Sequence, residues 1–145
     1  MASDPILVPF RAEHMLRITN RDGRQFVGTL VDIERRSVAY TAIKDGRIIG
    51  CAGITLMWEG VATAWTVMGP DAHKYMFWAT KMTRRFIRDT IKAYNLHRLE
   101  MVALADNDRN RRWAKFLGFQ EESLARCYTS DQRDMIRYEW VKKDG

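Results

Sequence analysis

The amino-acid sequence predicts an α+β fold, on three observations. Residues 38 to 68 hold three strand-like apolar runs parted by tight turns, the pattern of an antiparallel meander. Residues 72 to 94 carry apolar side chains at helical spacing with cations between them. The remaining segments alternate between strand and helix signals. The whole order reads β-α-α-β-β-β-α-β-α-β-β, with no repeat, linker or low-complexity segment.

At 145 residues the chain reads as a single domain, 1 to 145, long enough to bury a hydrophobic core. It is 46% hydrophobic and 29% charged, and its five Trp, five Tyr and six Phe argue against disorder. No apolar run approaches the roughly 20 residues that span a bilayer, so no membrane partner is expected. The start, Met-Ala-Ser-Asp-Pro-Ile-Leu, has no basic region before an apolar stretch, and a cytoplasmic location is expected. Cys51 and Cys127 are too few and too distant for a disulfide framework or a zinc site. His14, His73 and His97 show no ligand spacing, so no metal is expected. The net charge of +6 is local: residues 73 to 98 hold seven Lys/Arg and one Asp. That segment suits a phosphate-bearing partner, or is a solvated helix face.

Residues 5 to 10, Pro-Ile-Leu-Val-Pro-Phe, form a first strand. Residues 11 to 18 have helical spacing, with Met15 and Ile18 on one face, and residues 28 to 33 suit a second helical turn. Residues 38 to 43 alternate and stop at Asp45-Gly46, a two-residue hairpin signal. Residues 48 to 57 resume as a strand whose glycines indicate a bulge or close packing. Trp58-Glu59-Gly60 turns the chain into a third strand, 61 to 68. Gly69-Pro70 ends it and Pro70-Asp71 opens the long helix. Ala79, Met82, Phe86, Ile87, Ile91 and Tyr94 form that helix's apolar face, opposite Lys81, Arg84, Arg85, Arg88 and Lys92. Residues 96 to 104 are the next strand. Asp106 or Asn107 caps a short charged helix, and Gly118 suits the left-handed position past its end. Residues 119 to 128 and 134 to 141 close the chain as a strand pair, with Ile136, Tyr138 and Trp140 on one face.

This order, joined to Asn107, a short helix and then Leu117-Gly118-Phe119, resembles the GNAT superfamily, the acyl-CoA-dependent N-acetyltransferases. The resemblance covers essentially the whole chain. It implies a mixed sheet of about six to seven strands around the central meander, flanked by about four helices. It also implies acetyl-CoA as co-substrate. In that fold the last meander strand, here 61 to 68, splays from the next one, and pantetheine lies in the gap as if it were a strand. The pyrophosphate sits on the following loop and helix start, here 69 to 74, where backbone N–H groups and the helix dipole favour anions. The implied contacts are Val67, Met68, Gly69, His73 and Lys74, with Asn107 fixing the pantetheine arm.

The sequence also departs from the family. Residues 68 to 75 read Met-Gly-Pro-Asp-Ala-His-Lys-Tyr, with one glycine, a proline lacking an N–H, and an acid. Asp71 repels phosphate, and His73 and Lys74 offset it in part. Such a loop resembles the small GNAT-like proteins of tailed bacteriophages. The helix Tyr that often protonates the departing thiolate aligns with Ala114, preceded by Trp113, an N–H donor but no acid. Residues 61 to 68 contain no carboxylate to serve as base. Glu59, in the turn before them, is the candidate base, though a Glu there is ordinarily solvated. Tyr128 is the candidate acid, against its reading as a packed half-buried tyrosine, and Cys127 reads as a small apolar residue.

The leading functional reading is an N-acetyltransferase acting on an unidentified amine. The alternative is a GNAT-like fold without catalysis, serving as a phage virion or host-directed binding protein. Nucleic-acid binding through the basic helix ranks third. A homodimer through a sheet edge and a protein partner are open.

Overall fold

In the computed structural model, which describes residues 3 to 18 and 30 to 143, the turns act as their residues dictate. The chain runs β1 (Ile6–Pro9), α1 (Ala12–Arg17), α2 (Leu30–Arg36), β2 (Ser37–Lys44), β3 (Arg47–Trp58) and β4 (Val61–Met68). A 3-10 turn, Ala72–Tyr75, leads into α3 (Met76–Ala93). Then follow β5 (Arg98–Leu104), α4 (Asp108–Phe116), β6 (Gln120–Ala125) and β7 (Met135–Val141). Among the described residues these seven strands form one sheet in the order β1-β2-β3-β4-β5-β7-β6. All neighbours are antiparallel except β4 and β5, which run parallel with α3 as their crossover. Among the described residues the architecture is the expected mixed sheet with a central meander and four flanking helices. Residues 28 and 29 of the expected second helix lie outside the described residues.

Asp45 and Gly46 both take positive φ, 51° and 74°, as a two-residue hairpin demands. Gly53 in β3 answers the close-packing expectation: a Cβ there would lie 2.6 Å from the Trp65 ring and 2.7 Å from Ala39 Cβ. The helix expected over 72 to 94 is broken by Tyr75, whose ψ of 17° leaves the helical region. The strand expected over 119 to 128 stops at Ala125, because Cys127 and Gln132 adopt positive φ (51° and 65°) and turn the chain early. His97 is structural: its N–H donates to Gly60 O and its carbonyl accepts from Lys142 N–H.

Two apolar clusters hold the layers. On one face α3 and α4 cover Ile54, Ala62, Leu99, Ala103 and Tyr138, with Leu96, Ala114 and Phe119 buried among them. On the other face Phe10, Met15, Ile18 and Ile33 pack on Cys51 and Val67. Buried Thr41 ties that second layer to the sheet, its Oγ1 lying 2.8 Å from His14 Nδ1 and 3.4 Å from Cys51 Sγ.

The end of α4 follows from Gly118. Its φ of +105° lets Phe119 N–H reach Ala114 O and Gly118 N–H reach Lys115 O, the paired bonds of a Schellman close. A Cβ at Gly118 meets nothing within 4 Å, so the requirement is conformational alone. Gly118→Ala is therefore expected to cost about 1–2 kcal/mol, read as a lower urea midpoint at unchanged m-value. A midpoint equal to the parent's contradicts this account of the helix end.

Candidate functional site

The site is where two strands part. β4 is laddered to β3 along its whole length, from Val61 opposite Trp58 to Met68 opposite Gly50. β5 is laddered to β7 from Arg98 to Leu104. Between β4 and β5 the ladder covers three residue pairs, 61 to 63 with 98 to 100, and there it stops. Strand alternation fixes which groups face the resulting gap. Gly69 N–H bonds Ile49 O toward β3, while Gly60 O accepts from Arg98 N–H toward β5. Even-numbered residues therefore turn their backbone groups to the β5 side, and Thr66 points its N–H and C=O into the gap.

The open end of the gap gathers most of the residues singled out in the sequence. Val67 and Met68 end β4, followed by Gly69, His73 and Lys74 at the start of the crossover. Asn107 follows β5 at the same end, as does the 126 to 134 loop carrying Tyr128, since Ala105 N–H bonds Asp134 O. Val67 is buried toward α1 and α2, and its odd-numbered backbone bonds toward β3, so neither its side chain nor its backbone groups are turned to the gap. Asn107 caps α4, its Oδ1 accepting from Asn110 N–H at 3.0 Å, which commits that oxygen and leaves the amide nitrogen as donor. Tyr128 is 52% exposed. Glu59 stands apart, exposed in the turn before the paired end of β4.

The loop is electrostatically self-contained. Asp71 pairs with Lys74 (3.6 Å) and with Arg47 (3.3 Å), which the β2–β3 hairpin delivers. Gly69, Ala72 and Lys74 all spend their amides on backbone carbonyls. An anion arriving here would meet the side chains of Arg47, His73 and Lys74 more than a cradle of N–H groups. Arg47 escaped the sequence reading because it lies far from the loop in the chain; the hairpin register was its only signal.

Two further residues emerge from the fold. Glu100 pairs with Thr63 at the last rung before the strands part, on the face away from α4. Arg98 Nε holds its Oε1 at 2.9 Å and Arg137 lies 3.9 Å from Oε2. Arg98 also bonds Glu122 and Glu139, and these contacts raise its pKa and keep it charged. On the opposite face, Ala114 is fully buried in the core. Its neighbour Trp113 does reach across: Nε1 donates to Thr80 Oγ1 of α3 at 2.9 Å.

The remaining reactive groups are quiet. Burial pushes the Cys51 thiol up to about 11, against a smaller lowering from Thr41, so it stays protonated at neutral pH. Arg111 holds the Glu121 carboxyl below the usual range, fastening α4 to β6. Among the described residues no His, Cys, Asp or Glu cluster could hold a metal, and no helix is long and apolar enough to cross a membrane.

A meander followed by a parallel pair that opens beyond three rungs, with the crossover helix starting at the open end, is the fold of the GNAT acetyltransferases. By sequence the chain matches no family model and no curated protein. By structure it is similar to a ribosomal-protein-S5-alanine acetyltransferase from Vibrio fischeri, at TM-score 0.72 and 15% identity, covering 99% of this chain and 96% of that one. It is similar to a GNAT-family acetyltransferase from Bacillus anthracis, at TM-score 0.65 and 13% identity, covering 97% and 96%. A mutant spermidine/spermine N-acetyltransferase from Vibrio cholerae is also similar, at TM-score 0.67 and 12% identity, covering 94% of each. At such identities the likeness is one of fold.

If Asp71 competes with bound phosphate for Arg47 and Lys74, Asp71→Asn should tighten coenzyme A binding several-fold, with a steeper salt dependence. Weaker binding by the variant would show that Asp71 organises the loop instead.

Proposed function

We propose that this protein is an N-acetyltransferase that moves the acetyl group of acetyl-CoA to an amine. The observation that carries the reading is the β4–β5 ladder ending at Thr63 and Glu100, in a fold shared over nearly the whole chain with acetyltransferases. The pantetheine arm lies along the β4 edge as an added strand. Arg47, His73 and Lys74 take the phosphates, and Asn107 steadies the arm.

The amine nitrogen attacks the thioester carbonyl, a C–N bond forms, and the oxyanion is met by a β4 amide such as that of Thr66. The C–S bond then breaks and the sulfur takes a proton, with Tyr128 as candidate donor. The amine's proton passes through water to a carboxylate. Glu59 and Glu100 are the candidates, and Glu100 stands at the last rung before the strands part. With phosphates at the start of α3, the acetyl end emerges on the far face. There three carboxylates, Glu100, Glu122 and Glu139, face two guanidiniums, Arg98 and Arg137. The surplus negative charge suits an amine that arrives as an ammonium ion. Positioning supplies much of the rate, so the absence of a Tyr at 114 does not forbid turnover.

Calorimetry with acetyl-CoA is expected to show saturable binding, and an amine panel acetyl transfer with thiol release. Glu100→Gln should lower kcat/KM by about 10²-fold while Glu59→Gln leaves it near the parent's; the reverse transfers the role to Glu59. No binding at millimolar acetyl-CoA would falsify the proposal.

A second reading is favoured by the loop, where Asp71 occupies two cations and three amides are internally bonded. On it the fold binds a partner without catalysis, as in the virion or host-directed role. The similar structures are bacterial acetyltransferases and lend nothing to a phage origin.

A further inference from the structure

The hydrogen bond between Trp113 and Thr80 joins the two helices that flank the β4–β5 gap. α3 leaves the C-terminal end of β4 and α4 leaves the C-terminal end of β5, and each runs back along its strand. The two helices therefore flank the diverging halves of those strands. Thr80 is one turn into α3 and Trp113 is midway along α4. Their 2.9 Å contact spans the helices above the segment where the β4–β5 ladder has ended. Thr80 Oγ1 donates its own proton to Met76 O at 2.7 Å, so toward Trp113 it can only accept. The indole N–H in turn has no acceptor role to exchange. The pairing has one direction, and any ligand taking the indole's bond must bring an acceptor.

The pantetheine arm brings two amide carbonyls. We infer that Trp113 is the α4 residue that contacts this arm, its indole N–H passing from Thr80 to a pantetheine carbonyl as the ligand seats. The inference rests on the acetyl-CoA reading above. It explains what α4 offers the gap although Ala114 is committed to the core: a neutral donor that positions the arm, with no acid. Trp113 is half-buried, which leaves the ring room to turn without unpacking the core that holds Ala114. The Thr80 bond then opposes ligand entry by about the net worth of one hydrogen bond.

Acetyl-CoA titrations of Thr80→Val, Thr80→Ser, Trp113→Phe and the Thr80→Val/Trp113→Phe double variant test this. Thr80→Val removes the competing acceptor at constant shape and is expected to bind about two- to tenfold tighter than the parent. Thr80→Ser keeps the acceptor and should bind like the parent. The gain should vanish in the Trp113→Phe background, where no indole N–H exists to be released. Equal or weaker binding by Thr80→Val, or a gain that persists with Phe at 113, overturns the inference while leaving acetyl-CoA binding intact. No saturable binding by any of the five proteins overturns the acetyl-CoA reading, and this inference with it.

Discussion

Three rungs between β4 and β5 are the constraint on which the rest of the molecule depends. On either side of them stand two ladders complete in themselves, β1 to β4 and β5-β7-β6. The cluster of Ile54, Ala62, Leu99, Ala103 and Tyr138 under α3 and α4 draws on both halves and holds them together. Beyond Thr63 the sheet's twist can act without a ladder to resist it, and the halves separate. The gap thus begins where the ladder stops. It leaves a strand edge facing a crossover helix start, a place where backbone groups and a helix dipole both await a polar extended ligand.

Competing interactions within the protein set how strongly such a ligand is held. The Asp71 pairs with Arg47 and Lys74 involve cations whose side chains are 71% and 59% exposed. Pairs that exposed are worth only about 0.2–1 kcal/mol, so a multiply charged phosphate group can displace them. On the proposed acetyl-CoA reading, the loop would lower affinity without closing the site. The same logic applies to α4. With a core alanine at 114 and an indole at 113, α4 offers a donor and no acid, so the proposed reaction would have to place its proton handling on carboxylates and water on the other face.

Much of the fold was legible in the sequence because its signals are local. Asp45-Gly46 and Glu59-Gly60 mark turns, alternation marks the strands, and Asn107 with Gly118 brackets α4. Boundaries failed where single backbone angles decide, as at Tyr75 and Cys127. The site was half legible. Met68, Gly69, His73, Lys74 and Asn107 fall together because the loops after β4 and β5 share an end of the sheet. Arg47, Thr80 and Glu100 were not legible, since each acquires its place from pairing across the chain. The alignment of the family's Tyr with Ala114 reads as a loss of chemistry; in the structure that position is fully buried in the core.

The central claim is that the β4 edge beyond Thr63 is completed by acetyl-CoA. Residue-resolved amide hydrogen exchange tests it most directly. Without ligand, the Thr66 amide should exchange faster than that of Ala62, which lies within the β4–β5 ladder. Saturating acetyl-CoA should slow Thr66 strongly and leave Ala62 nearly unchanged. Saturable binding with Thr66 exchange unaltered would contradict the account, because the ligand would then be held somewhere other than this edge.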